Sequence, residues 1–162
     1  MDPERLLAKF RKDIGRFCFE ECNAYCCRKG YLVLTKKEVE LIALEEKHNL
    51  EEKGLITTLN DGKFSLCIHN IACPCLKDNK CLIHHNKARP KICKEFPVYF
   101  DLSTKTVLIA KRCFAIQRGM FYPIGKILEK NKYSIIYADS FSKGTLDIDV
   151  FGETELFSIK LE

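Results

Sequence analysis

Ten of the 162 residues are cysteine, and eight of those fall into two groups: Cys18, Cys22, Cys26 and Cys27, then Cys73, Cys81, Cys93 and Cys113. Sulfur this dense in one short chain must be cross-linked, bound to metal, or dispersed as small buried side chains. The three fates demand different folds. With 46% hydrophobic residues the chain can bury a core without covalent staples. Its opening Met1-Asp2-Pro3-Glu4-Arg5 is charged, and no apolar run has the length of a signal segment or a membrane span. A cytoplasmic protein is expected, and in a reducing compartment such thiols hold metal rather than disulfides.

The formal charge of +5 counts every thiol as neutral. Eight thiolate ligands would reverse its sign, and two dications or two cubane clusters would bring it back near zero, so charge does not distinguish zinc from iron–sulfur. Lys and Arg are interleaved with Glu and form no basic arm, so nucleic acid is not an expected partner. No membrane is expected either.

Asp2 and Pro3 start a helix whose apolar residues Leu6, Leu7, Phe10 and Ile14 recur at helical spacing as far as Gly15. Tyr31 to Leu34 reads as a strand, and the capping box of Thr35 with Glu38 opens a helix to about His48. Leu55 to Leu59 and Lys63 to Ile68 flank Asn60-Asp61-Gly62, a hairpin signal. A further antiparallel pair is expected at Val98 to Leu102 and Thr106 to Ala110, around Ser103-Thr104-Lys105. Pro123 to Tyr137 reads as a helix, and the alternation of Thr145 to Phe151 and Thr154 to Leu161 as a terminal hairpin. The expected class is α+β: one small domain, 1–162, of short helices and antiparallel hairpins around a loop-dominated cysteine centre. The metal-binding core would span about 17–113, with a C-terminal helix and hairpin at about 120–162.

Cys18, Cys22 and Cys26 follow at i, i+4 and i+8, so an unbroken helix would spread their sulfurs over roughly 12 Å. One zinc cannot span that, because its tetrahedral ligands lie within about 4 Å of one another. The segment must bend, or the centre must be larger or multiple. Adjacent Cys26 and Cys27 point apart on helix and strand alike, which argues for two neighbouring centres or one polynuclear centre. The second group, Cys73, Cys81, Cys93 and Cys113, matches neither a zinc ribbon nor a bacterial ferredoxin run. Together the eight suffice for two tetrahedral sulfur sites or two cubanes, with ligands free to cross between groups. Cys67 and Cys75 are left over as small core residues or adventitious thiols, although within Cys73-Pro74-Cys75 either cysteine could be the ligand.

Phe17-Cys18, the Cys22 to Cys27 segment, Cys73-Pro74-Cys75-Leu76, Cys81-Leu82-Ile83-His84 and Arg89-Pro90-Lys91-Ile92-Cys93-Lys94-Glu95-Phe96-Pro97 resemble the CxxCxxCC family of zinc- or iron-chelating proteins. The resemblance covers residues 17 to 113. Arg89-Pro90, Cys93 and Phe96-Pro97 fall on that family's RPxxCRxFP element, with Lys94 in place of its second arginine. The first group departs from the namesake motif, with three residues rather than two between Cys18, Cys22 and Cys26. The family pattern implies that Cys73 is the ligand and that Cys75 stands where an aromatic is common. A similar cluster occurs in the longer flagellin lysine-N-methylases, which implies a methyl-transferring enzyme as an alternative. No glycine-rich strand-to-helix turn that would cradle a nucleotide accompanies it here.

His84, His85 and His69 are close in sequence to cysteines and read as surface residues or outer hydrogen-bond donors rather than ligands. Arg89 could point at the sulfurs and offset their charge. Tyr25 and Phe96 read as packing that keeps water off them. No nucleophile, histidine and carboxylate can be grouped, so hydrolysis has no basis. The expected function is a cysteine-cluster metal protein carrying one or two iron–sulfur clusters of 4Fe–4S type, in redox transfer with a protein or redox partner. The alternative is structural zinc in an interaction module.

Overall fold

The computed structural model describes residues 2–69 and 71–138. Its helices and strands form an α+β fold, and the described residues divide into two compact units, one of residues 2–23 and 95–138, the other of residues 24–94. The expected hairpin at Thr145 to Phe151 and Thr154 to Leu161 lies outside the described residues.

In the first unit Asp2 caps helix α1 (Pro3–Glu20), its side chain accepting from the Glu4 and Arg5 amides at 3.0 and 3.3 Å. These amides have no partner inside the helix, so the cap satisfies donors that water would otherwise hold. The helix runs past Gly15, whose open flank tolerates helical backbone, and so carries Cys18 on its last turns. Leu7, Phe10, Ile14 and Phe17 form its buried stripe. They pack with Val98, Val107, Ile109, Phe121 and Leu128 into one apolar cluster, in which Phe10 meets Phe121 edge to face at 5.2 Å. The Arg11 guanidinium donates to the Glu95 and Val98 carbonyls, fixing α1 to the chain entering the sheet.

That sheet pairs β6 (Val98–Asp101) antiparallel with β7 (Thr106–Ala110), as expected. After β7 come two helices, α5 (Phe114–Gln117) and α6 (Tyr122–Lys130), then β8 (Ser134–Ala138), which pairs parallel with β7. Pro123 to Tyr137 is therefore not one helix. Lys132 takes a left-handed φ of 62°, and the following Ile135-Ile136-Tyr137 suits a strand laid beside the buried β7. A parallel pair requires such a crossover, here supplied by α5 and α6.

In the second unit β1 (Tyr31–Leu34), β2 (Ile56–Thr58) and β3 (Phe64–Cys67) form an antiparallel sheet in the order β1-β3-β2. The turn between β2 and β3 contains Gly62 at φ 76°, as the Asp-Gly signal requires. Thr35 and Glu38 make the reciprocal capping box of α2 (Lys36–Ala43). The helix does not continue to His48: Leu44 breaks it at φ 52° and ψ −131°, and α3 (Lys47–Glu52) starts afresh after a 3-10 turn. Leu32, Leu34, Val39, Ile42, Ala43, Leu50, Ile56, Leu66 and Ile68 are buried in this layer. Beyond it lie only a two-residue hairpin, β4 (Leu76–Lys77) with β5 (Lys80–Cys81), and the short helix α4 (Lys91–Glu95). Asp78 and Asn79, both left-handed at φ 49° and 60°, make the hairpin turn.

Candidate metal centre

Helix α1 ends within the first cysteine group. Cys18 lies on the last helical turns, and the Cys22 amide still donates to the Phe17 carbonyl at 3.0 Å, with its thiol directed at the Cys18 carbonyl at 3.5 Å. Asn23 and Ala24 then adopt left-handed φ of 52° and 53° in succession. No right-handed helix survives two such residues, so the bend required by the cysteine spacing falls between Cys22 and Cys26. Cys26 and Cys27 follow in a 3-10 turn, Tyr25–Cys27, closed by the Cys27 amide on the Ala24 carbonyl.

Within residues 24–94, four thiols come from three distant stretches of chain. The Cys73 amide donates to the Cys27 carbonyl at 2.7 Å, joining the first cysteine group to the second through backbone. Cys81 ends the two-residue hairpin opposite Leu76, whose amide bonds the Cys73 carbonyl at 2.8 Å. Cys93 sits in α4, its amide on the Pro90 carbonyl, so proline starts the turn that presents it. Burial raises the Cys93 thiol to about 12, with Cys27, Cys73 and Cys81 adding repulsion and Arg89 opposing it. Burial likewise raises Cys81, with Cys27 and Cys73 again contributing. Cys73 is raised chiefly by donating a hydrogen bond to Cys75. The four sulfurs thus act on one another, and a cation among them would convert mutual repulsion into attraction.

Arg89 serves this group. Its Nη1 donates to His84 Nδ1 at 3.1 Å, while its Nε is buried and, among the described residues, has no hydrogen-bond partner. A buried N–H beside thiols suits a thiolate or inorganic sulfide acceptor. His84 and His85 are exposed and stack edge to face at 4.9 Å, and His69 is exposed as well. The His84 ring is joined to this group through Arg89, and its backbone amide donates to the Cys81 carbonyl at 3.1 Å.

Cys75 is a different kind of thiol. It is 0% exposed, and its S–H donates to the Ile42 carbonyl at 3.3 Å and the Leu41 carbonyl at 3.8 Å, at the broken end of α2. The core reading of this residue holds, with a hydrogen-bonding role that spacing gave no sign of. Cys67 lies on β3 opposite Tyr31, to which its side chain is hydrogen-bonded.

In the other unit, Cys18 and Cys22 are partly buried against the cluster that contains Cys113, itself 7% exposed. Burial raises the Cys113 thiol, the Ile116 and Ala115 amides and Arg112 oppose this, and Cys22 adds to it. All ten cysteines are thiols rather than disulfides. Among the described residues, no three Cys, His, Asp or Glu side chains gather tightly enough to hold one ion, and no helix is long and apolar enough to cross a membrane.

No curated protein and no solved structure matches the chain. One family model matches residues 17–115, spanning both cysteine groups and the Arg89 to Pro97 element. The chain belongs to the CxxCxxCC family, described as a "putative zinc- or iron-chelating domain".

Proposed function

We propose that the protein carries iron–sulfur clusters, one or two of 4Fe–4S type, on thiolates drawn from Cys18, Cys22, Cys26, Cys27, Cys73, Cys81, Cys93 and Cys113, and that it serves redox transfer with a protein partner. The observation that supports this most is the meeting of Cys27, Cys73, Cys81 and Cys93 beside the buried Nε of Arg89. The donor set is soft and all sulfur, which zinc and iron–sulfur clusters both accept, and adjacent Cys26 and Cys27 favour two centres or one polynuclear centre over a single small ion. Such a cluster supplies one-electron chemistry. The protein's part is to hold the sulfurs, to lend them the Arg89 N–H, and to limit water around them. The metal-binding core is residues 17–113, and a reducing cytoplasm is the setting that keeps these thiols available.

The same four sulfurs also suit a structural zinc ion, which would tie a loop-rich segment together and leave function to a binding surface. Anaerobic purification with iron, sulfide and zinc analysis separates the two. Iron with labile sulfide and a cluster absorption band is the expected result. A colourless protein with stoichiometric zinc and no labile sulfide would overturn the iron–sulfur reading.

A further inference from the structure

We propose that residues 69–94 present a basic docking face beside the candidate metal centre, and that its partner is a protein with an acidic surface. This rests on the redox-transfer reading above for what the partner does, and goes beyond it in naming the surface and the partner's charge.

Along most of the chain the two signs of charge are interleaved, but from His69 to Lys94 they are not. Six cations, Lys77, Lys80, Lys87, Arg89, Lys91 and Lys94, stand in this stretch against one carboxylate, Asp78. All six lie in the unit of residues 24–94, and the five lysines are exposed. Carboxylates elsewhere in that unit are committed locally: Glu40 and Glu51 each stand 3.9 Å from Lys47, Asp61 stands 3.4 Å from Lys63, and Glu38 closes the capping box of α2. Among the described residues, no carboxylate pairs with Lys77, Lys87 or Lys94.

Local structure concentrates this charge. Lys77 and Lys80 are directly opposite each other in the hairpin of β4 and β5, a position where like charges repel. Arg28 adds a third cation, its Nη2 donating to Asn79 Oδ1 at 2.7 Å in the hairpin turn. Lys94 Nζ donates to the Lys87 carbonyl at 2.6 Å, which holds the charge of α4 over the loop that carries Lys87. An anionic surface docked here would turn that repulsion into attraction. The candidate ligands share these elements, since Cys81 follows Lys80 in β5 and Cys93 lies between Lys91 and Lys94 in α4. A partner seated on the lysines is therefore close to the sulfurs.

The face suits protein better than nucleic acid. Residues 69–94 contain no Phe, Tyr or Trp on which a base could stack, and α4, with five residues, is too short to read a groove. Leu82, 59% exposed, instead gives the charged surface an apolar contact point, as in the core and rim of a protein interface.

Isothermal calorimetry tests this on the full-length chain, purified anaerobically and assayed for iron, sulfide and zinc, with flavodoxin, an acidic one-electron carrier, as the probe. Binding is expected at about 20 mM salt and should weaken about tenfold or more at about 300 mM. Lys77→Glu with Lys87→Glu and Lys94→Glu should weaken it by about tenfold or more. Lys9→Glu with Lys12→Glu and Lys130→Glu, an equal change of net charge on exposed residues of the other unit, should leave it within about twofold. No binding at low salt, equal loss in both triple variants, or equally tight binding of the basic protein cytochrome c would overturn the proposal. So would tighter binding of a single-stranded oligonucleotide that the first triple variant loses, because the face would then be a nucleic-acid surface. Flavodoxin binding that appears only after Asp147→Asn, Asp149→Asn, Glu153→Gln and Glu155→Gln would assign the face to the chain's own acidic stretch, and overturns it too. Should circular dichroism show the first triple variant unfolded, lysine acetylation of the unmodified chain decides. Excess flavodoxin should slow acetylation at Lys77, Lys87 and Lys94 and not at Lys9, Lys12 and Lys130, and any other pattern overturns the proposal. Metal on the isolated protein without flavodoxin binding refutes only this inference, whereas lysine-dependent binding by a protein isolated without metal supports the docking face and refutes the redox reading.

Discussion

A thiol that must keep its proton to donate a hydrogen bond is poorly placed to be a metal ligand. Cys75 has this constraint, because the helix that ends at Leu44 leaves the Leu41 and Ile42 carbonyls without helical partners and the buried Cys75 thiol answers them. Cys73, two residues earlier, bonds the Cys27 carbonyl through its backbone amide, and its thiol donates to the Cys75 sulfur rather than to a carbonyl, a bond that a metal on Cys73 would replace. Cys75→Ala should therefore keep the native metal content while costing about 1–3 kcal/mol in urea unfolding, from the lost donor and the small cavity. Cys73→Ser should lose metal, and equal loss in both variants would reverse the assignment. Cys93 makes a second case at this scale. Its thiol is raised to about 12 in the folded chain, against about 8.5 unfolded, so the unfolded state releases the proton first. Its contribution to the stability of the metal-free protein is complete below about pH 8.5 and is lost as pH rises toward 12, by up to about 1.4 kcal/mol per unit. Urea midpoints of the reduced, metal-free chain at pH 7.5 and 9.5 should fall more steeply than those of Cys93→Ala. Parallel slopes would show that Cys93 does not titrate this way.

Elements were legible where a local chemical signal starts them and illegible where a strained residue stops them. Asp2-Pro3, Thr35 with Glu38, and Asp61-Gly62 each act through their own backbone neighbours, and each starts or turns an element where expected. Leu44 and Ala24 adopt left-handed φ with side chains that disfavour it, and beside them Asn23 gives only the weak signal of an asparagine, so little in the sequence announces either break. Ile135-Ile136-Tyr137 is apolar enough for helix or strand, and the choice is made by β7, a partner distant in sequence. The site divides along the same line. Spacing indicated that the two cysteine groups meet, but the pairing of Cys27 with Cys73, Cys81 and Cys93, and of Cys22 with Cys113, depends on breaks and hairpins that spacing does not encode. The strain at Leu44 can be measured. It is 47% exposed, so little burial is lost on truncation, and Leu44→Gly should raise stability by about 1 kcal/mol with metal content unchanged. A lower urea midpoint would show that the leucine side chain stabilises the fold by more than its backbone strain costs.

The two units differ in what can hold them together without metal. The unit of residues 2–23 and 95–138 has a continuous apolar cluster from α1, β6, β7, α5 and α6, including Leu7, Phe10, Ile14, Val107, Ile109, Phe121 and Leu128 at 3% exposure or less. Residues 69–94 have far less. Among the described residues of this stretch the buried apolar side chains are Cys75, Ile83, Pro90 and Ile92, and the regular structure is a two-residue hairpin and most of one short helix. So little apolar area offsets the backbone entropy of ordering such a segment only narrowly, and four sulfurs bound to one inorganic centre would add to its local stability. Metal removal should therefore act locally rather than globally. In hydrogen exchange followed by mass spectrometry, anaerobic chelation should raise exchange across residues 69–94 by an order of magnitude or more, while α1, β6 and β7 keep their protection. Protection lost equally from both units would mean that they unfold as one cooperative block. Unchanged exchange at 69–94 would mean that backbone and core alone order the loop, and that the thiols of Cys27, Cys73, Cys81 and Cys93 meet without needing an ion to hold them.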